Sequence, residues 1–175
     1  MTNIEILITQ LLDESNDNVH KTSDNLGHIG TEEVIDAMIE LLNHPNLESR
    51  YLAARTLGLI EQNEKALDPM LDAIKNTENY SITGDLLMEL EGFDLSKCYV
   101  EIFKLFLNGS FKVSNIAKDL LDHEEFDITP RVIKKAEKHW NHYSNNIKHD
   151  DVYALRKFEV EQMLGDLRNF VNSKD

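Results

Sequence analysis

Few residues in this chain have the type and spacing to carry chemistry. His139 and His142 stand three apart, which on a helix puts both imidazoles on one face, and His149 follows a little further on. Such a pair can contribute to a zinc site, but it has no spaced carboxylate to complete the ligand set, so surface histidines are expected and no metal is assigned. Cys98 is the single cysteine. It has no histidine near it in sequence and lies in an apolar stretch, where a thiol behaves as a small buried hydrophobe rather than a nucleophile. Neighbouring carboxylates such as Asp150-Asp151 and Glu124-Glu125 could do acid–base work. With 32 Asp and Glu in 175 residues, no one pair stands out. Glycines are expected at helix ends and turns, and none of the seven belongs to a phosphate-cradling GxGxxG or GxxxxGK(S/T) run. No catalytic residue and no cofactor is assigned, and a binding protein is expected rather than an enzyme.

Charge is more informative. Residues 1–127 hold 25 Asp/Glu against 9 Lys/Arg, a net of −16, whereas residues 128–175 hold 7 against 9, a net of +2. A field of negative sign repels nucleic-acid phosphates and attracts basic proteins, raising their association rates. The expected partner is therefore a basic protein, and neither nucleic acid nor a membrane. The first ten residues lack Lys and Arg, and their apolar run is broken by Glu5, Thr9 and Gln10, so neither a signal peptide nor a membrane span is read there. A lone cysteine forms no internal disulfide. Together these features suggest a reducing, cytoplasmic setting.

The elements that position these residues follow a helical period. Val34, Ile35, Met38, Ile39 and Leu42 recur at one-, three- and four-residue steps and form one apolar stripe. Thr31 precedes them as an N-cap whose hydroxyl is expected to accept a first-turn N–H, with Glu32, Glu33 and Asp36 at the positive end of the helix dipole. His44-Pro45-Asn46 stops that helix, and a second starts near Leu47 or Glu48 and carries Leu52, Ala53, Thr56, Leu57 and Ile60. Its small residues Ala53, Ala54 and Gly58 let an adjacent helix approach closely. Similar pairs begin at about residues 3, 31, 64, 95 and 128, a period on the order of 30 residues, within the range of solenoid repeats. Seven glycines, three prolines and few alternating β-branched runs favour an all-helical chain. A chain of this length can bury roughly 70% of its unfolded surface.

The flanking pairs read similarly. Ile4, Ile8, Leu11 and Leu12 lead into a polar helix with Val19, Leu26 and Ile29, suited to an end position facing water. Leu67, Met70, Leu71 and Ile74 precede a second helix predicted from Ile82 through Leu86, Leu87 and Leu90. Tyr99, Ile102, Phe103, Phe106 and Leu107 form an aromatic-rich face, followed by Val113, Ile116, Ala117, Leu120 and Leu121. Thr129-Pro130 is an N-cap with proline at the first helical position, opening a longer helix through Ile133, Ala136, Trp140 and Tyr143. A second long helix holds Val152, Leu155, Phe158, Leu164, Leu167 and Val171. This last pair, within residues 128–175, is read as a C-terminal cap in which the aromatics are core rather than a ligand site. The whole chain, residues 1–175, is read as a single domain.

The segment SRYLAARTLGLIE resembles the second helix of HEAT repeats in their short, phycobilisome-lyase-type form, roughly VRxxAAxALGxIG. Arg50, Ala53, Ala54, Leu57, Gly58 and Ile60 match, while Ser49, Thr56 and Glu61 depart. NLGHIG at residues 25–30 reproduces the ending with Leu26, Gly27, Ile29 and Gly30, and EEVIDAMIELLNHP and KALDPMLDAIKN resemble the first helix. The resemblance, strong over residues 15–75, implies an all-α, right-handed α-α superhelix of about five hairpins. In such solenoids the second helices line the concave side, which makes Asp85, Glu89, Glu91, Asp119, Asp122, Glu124 and Glu125 the candidate contact acids. Tyr51 and Tyr80 join them as partner-binding candidates.

Three functions are compatible with this reading. The first is a protein-binding module, in its sharper form an immunity protein that neutralises a basic, nuclease-type toxin in bacterial competition by covering its positively charged groove. The second, implied by the resemblance, is a HEAT-like scaffold or bilin-lyase-like chaperone, although no chromophore-handling residue stands out. The third is a HEAT-like DNA glycosylase, a class that needs a basic concave surface and so conflicts with repeats at −16.

Overall fold

The computed structural model describes residues 2–173. Among these, ten α-helices form and no strand does. The chain divides into two compact units, Met1–Asp94 and Leu95–Asp175.

In the first unit, α1 spans Asn3–Leu11, α2 Val19–Ile29, α3 Glu32–Leu41, α4 Leu47–Gly58, α5 Leu67–Lys75 and α6 Thr83–Met88. Local chemistry sets their ends. Thr2 and Glu5 form a reciprocal capping box at the start of α1. Asn46 caps α4 by accepting from the N–H groups of Glu48 and Ser49. Gly30 ends α2 in the left-handed conformation at φ 53°, which costs glycine nothing. Thr31 does occupy the N-cap of α3 with extended backbone, but its hydroxyl makes no capping bond, so the expected bond is absent. The dipole-facing acids Glu32 and Glu33 remain in the first turn.

Helices pair as α1 with α2, α3 with α4 and α5 with α6, and second helices also pack on one another, α2 on α4 and α4 on α6. The stripes predicted for the second and third pairs are buried at their centres: Val34, Met38, Leu57, Met70, Leu86, Leu87 and Leu90 are closed to solvent, whereas in the first pair Leu11 and Leu26 are buried and Ile4, Ile8, Leu12, Val19 and Ile29 are half-buried. Between second helices glycine main chain approaches its neighbour closely, a side chain at Gly27 and main chain at Gly58 and Gly92. A Cβ on Gly27 would lie 2.7 Å from the Leu59 Cβ, one on Gly58 2.8 Å from the Glu89 carbonyl oxygen, and one on Gly92 1.8 Å from the Gly58 carbonyl oxygen. In the same row the Ser23 and Thr56 hydroxyls share a buried hydrogen bond of 2.9 Å. The second helix of the third pair is shorter than predicted. Ile82 stands before it, and after Met88 the chain tightens into a 3₁₀ turn, Glu89–Gly92, that carries Gly92 onto Gly58.

Two polar residues tie the unit together. Arg50, largely buried, donates from Nε to the His44 carbonyl at 2.5 Å and from Nη1 to Asn79 Oδ1 at 2.6 Å. Asn79 in turn donates to the Ala73 carbonyl at 2.8 Å. Buried Asn63 donates to the carbonyls of Leu57 and Gly92 at 2.7 and 3.1 Å.

In the second unit, α7 spans Tyr99–Asn108, α8 Phe111–His123, α9 Pro130–Asn146 and α10 Asp151–Asn172. α7 and α8 form a hairpin, and α9 packs against α7 and α10. The aromatic face of α7 is buried as predicted, and Ser114 donates to the Phe106 carbonyl at 2.6 Å. Thr129 caps α9 ahead of Pro130. Trp140 stacks on Tyr143 and Tyr153 at 5.8 and 5.9 Å, and Tyr153 on His149 at 3.8 Å, so the aromatics form a half-buried stack between α9 and α10. The apolar reading of α10 needs one correction. Val160 and Leu164 are buried, but Val152, Leu155 and Phe158 are 66, 61 and 58% exposed. Their three-residue spacing places them on a different face from the one that packs.

Candidate protein-binding surface

The second-helix row of the first unit gathers a charged cluster. Arg55 on α4 is held to Asp24 on α2 by an ion pair of 2.7 Å. Its guanidinium also lies in the fields of Glu89 and Tyr51. Burial works to lower its pKa, but the bond and charge of Asp24 with those fields leave it raised. Glu89, half-buried where the 3₁₀ turn crosses Gly58, has its pKa pushed up by burial, opposed by Arg55 and reinforced by Glu91 and Asp85. Of the candidates, Tyr51 and Glu89 therefore act on Arg55, and Asp85 and Glu91 act on Glu89. Of these, Glu91 is exposed and the other three are half-buried. Tyr80 is 77% exposed but stands at the opposite end of α6 from Glu89 and Glu91.

The other four candidates lie in the second unit. Asp119 and Asp122 are exposed on α8, and Asp122 pairs with Lys118 at 2.5 Å. That pairing raises the Lys118 pKa. Tyr99, buried, has its phenol pushed up by burial and by the Asp122 charge. Glu124 caps the end of α8, and Glu125 follows it exposed. His139 has its pKa lowered by burial and by Lys104. Among the described residues no group of three His, Cys, Asp or Glu is placed to hold a metal ion. No helix among them is long and apolar enough to cross a membrane.

Charge follows the unit boundary. The first unit holds 19 Asp/Glu against 5 Lys/Arg, a net of −14, and the second 13 against 13. Within the first unit the excess is greater on first helices than on second ones. α1, α3, α5 and the 3₁₀ turn Glu64–Ala66 carry eight acids against Lys65 and Lys75. α2, α4, α6 and the turn Glu89–Gly92 carry five against Lys21, Arg50 and Arg55. The signal was in the sequence, since Glu32, Asp36 and Glu40 stand four apart on the polar stripe of α3.

Repeating antiparallel helix pairs, joined through small residues on their second helices, define a helical-repeat protein. Residues 4–91 match the family model for HEAT repeats. They make up half of the sequence, and the chain belongs to the HEAT-repeat family. A comparison with curated proteins finds no match. HEAT repeats are helical scaffolds that commonly mediate protein interactions.

Proposed function

We propose that this protein is a non-catalytic binding module whose partner is a basic protein, and that it acts as an immunity protein covering the cationic groove of a nuclease-type toxin. The observation that carries this reading is the concentration of the whole net charge, −14, in the HEAT-matching unit. A rigid acidic repeat surface steers a cationic partner and opposes phosphate-rich competitors. The contact residues proposed are Tyr51, Asp85, Glu89 and Glu91, with Tyr80, Asp119, Asp122, Glu124 and Glu125 as further candidates. The setting proposed is the cytoplasm of the producing cell.

The test is calorimetric titration against a panel of purified cationic nuclease domains at low and moderate salt. Tight, salt-sensitive binding that suppresses nuclease activity is the expected result. Glu91→Lys and Glu125→Lys, made separately at exposed positions, should each be compared with the parent. Weakening by tenfold, about 1.4 kcal/mol, marks the unit that contributes contacts. Absence of binding to every cationic domain in the panel overturns the toxin reading. Binding that is indifferent to salt and to both reversals overturns the acidic surface.

A further inference from the structure

One exposed feature has the opposite sign to the rest of the chain. Arg131, Lys134, Lys135 and Lys138 follow one another at three-, one- and three-residue steps on α9, and His142 lies four further on. At 100° per residue these five side chains fall within one third of the helix circumference, and all five are exposed. The stripe is about 16 Å long. None of its four permanent cations makes an ion pair among the described residues, whereas Lys65, Lys104, Lys118, Lys157 and Arg168 all do. The nearest acid on α9, Glu137, is turned away and bonded to Arg168 at 3.0 Å.

Several ligands fit this stripe poorly. Single-stranded nucleic acid needs aromatic platforms beside the charge. The aromatics of α9 instead stack inward on Tyr153. A membrane-lying helix needs a free apolar face. On α9 that face is spent on Ile133 and Ala136, which are buried. What the stripe matches is an acidic helix face of similar length, and the chain itself displays one. On α3, Glu32, Glu33, Asp36 and Glu40 are all exposed on one side. Lys65 occupies Glu32 and Asp36, leaving Glu33 and Glu40 without an ion pair among the described residues. Glu33 and Glu40 are seven residues apart, as are Arg131 and Lys138. Each pair therefore spans two turns, about 10.5 Å.

We propose that copies of this chain associate head to tail, the cationic face of α9 in one copy lying against the acidic face of α3 in the next. Charge fixes the polarity. Two first units at −14 repel, while the second unit is neutral overall and offers its uncompensated cations to an acidic neighbour. At 0.1 M salt, repulsion between more distant charges is screened beyond about 10 Å, so the facing stripes dominate. Such a contact uses two different surfaces and is therefore heterologous, building rings or open chains of copies according to the rotation between successive copies. The surface on α3 is separate from the contact residues proposed for the basic partner.

Sedimentation velocity of the full chain at 20 and 300 mM salt tests this. At low salt the weight-average mass should rise with concentration, and at high salt it should return to that of the monomer. Arg131→Glu with Lys138→Glu in one chain, and Glu33→Lys with Glu40→Lys in another, should each weaken association tenfold or more. Mixing the two variants should restore it, because each then meets a face of opposite sign. The restoration also shows that both variants are folded. A wild type that stays monomeric at low salt overturns the proposal, as does association of either variant at wild-type strength. A mixture that behaves as two separate monomers also overturns it.

Discussion

Arg50 Nη1 donates to Asn79 Oδ1 at 2.6 Å, a buried bond between residues 29 apart that fastens α4 to the turn opening the second half of the next pair. The same guanidinium reaches the His44 carbonyl in the turn between α3 and α4 of its own hairpin, so one side chain spans two consecutive repeats. Replacing Arg50 by Met keeps the aliphatic stem but strands both acceptors away from water. A loss of about 3 kcal/mol in urea unfolding is expected. Glu78, 3.4 Å from the guanidinium but with a side chain 73% exposed, should contribute little, and Glu78→Ala is expected to lie close to the wild type.

Gly92→Ala should cost about 3 kcal/mol, because its methyl group would occupy the space of the Gly58 carbonyl oxygen and main chain gives way less readily than a side chain. Gly165 has nothing within 4 Å of a would-be Cβ. Gly165→Ala on α10 should stabilise slightly, by about 0.5–1 kcal/mol, through helix propensity alone. Thermal unfolding of the two variants side by side separates close approach from propensity.

Glu89 makes stability depend on pH in the less usual direction for a carboxylate. Its folded-state pKa is raised, chiefly by burial, so the folded protein holds this proton more tightly than the unfolded chain does. The group therefore costs stability at neutral pH, and the cost fades as pH falls through the raised value towards the ordinary 4.5. Glu89→Gln should be more stable than wild type at pH 7, with the difference shrinking near pH 4. Equal stabilities at pH 7, or a variant less stable there, would refute this assignment.

Arg156 anchors the first half of α10, donating to the Phe106 carbonyl at 2.5 Å with its guanidinium 4.0 Å above the Phe106 ring. Val152, Leu155 and Phe158 around it are exposed and add little burial. Arg156→Ala should therefore cost about 2 kcal/mol. Amide exchange should accelerate over residues 151–158 more than over residues 160–171, where Val160 and Leu164 hold the helix.

The hairpins were legible because their evidence is local. Val34, Ile35, Met38 and Leu42 recur on a helical period, Leu26, Leu57 and Leu87 at the repeat spacing of about 30 residues, and Gly30, Pro45 and Pro130 punctuate the chain. The family resemblance carried by Arg50, Ala53, Ala54 and Gly58 was equally readable. What Arg50 binds was not, since Asn79 looks like an ordinary turn residue until folding brings the two together. Asn63 escaped notice for the same reason: both its acceptors, the Leu57 and Gly92 carbonyls, are main chain. On α10 the periodicity was genuine, but Val152, Leu155 and Phe158 and the pair Val160 and Leu164 form two apolar faces, and composition does not say which one packs. For the binding surface, the excess of acids was plain. Its division between first and second helices needed the pairing of helices to be known.

Stacking along the second helices depends on the close approach of glycine main chain, to the Leu59 side chain at Gly27 and to main chain at Gly58 and Gly92, and hardly at all on the outward-facing side chains. Such an arrangement separates what holds the scaffold together from what a visiting molecule encounters. Exposed positions such as Glu33, Glu40 and Glu91 are thus free to be rewritten, singly or in groups, while the underlying frame keeps its geometry. A lineage built this way could change allegiance from one binding target to another through its outer residues alone.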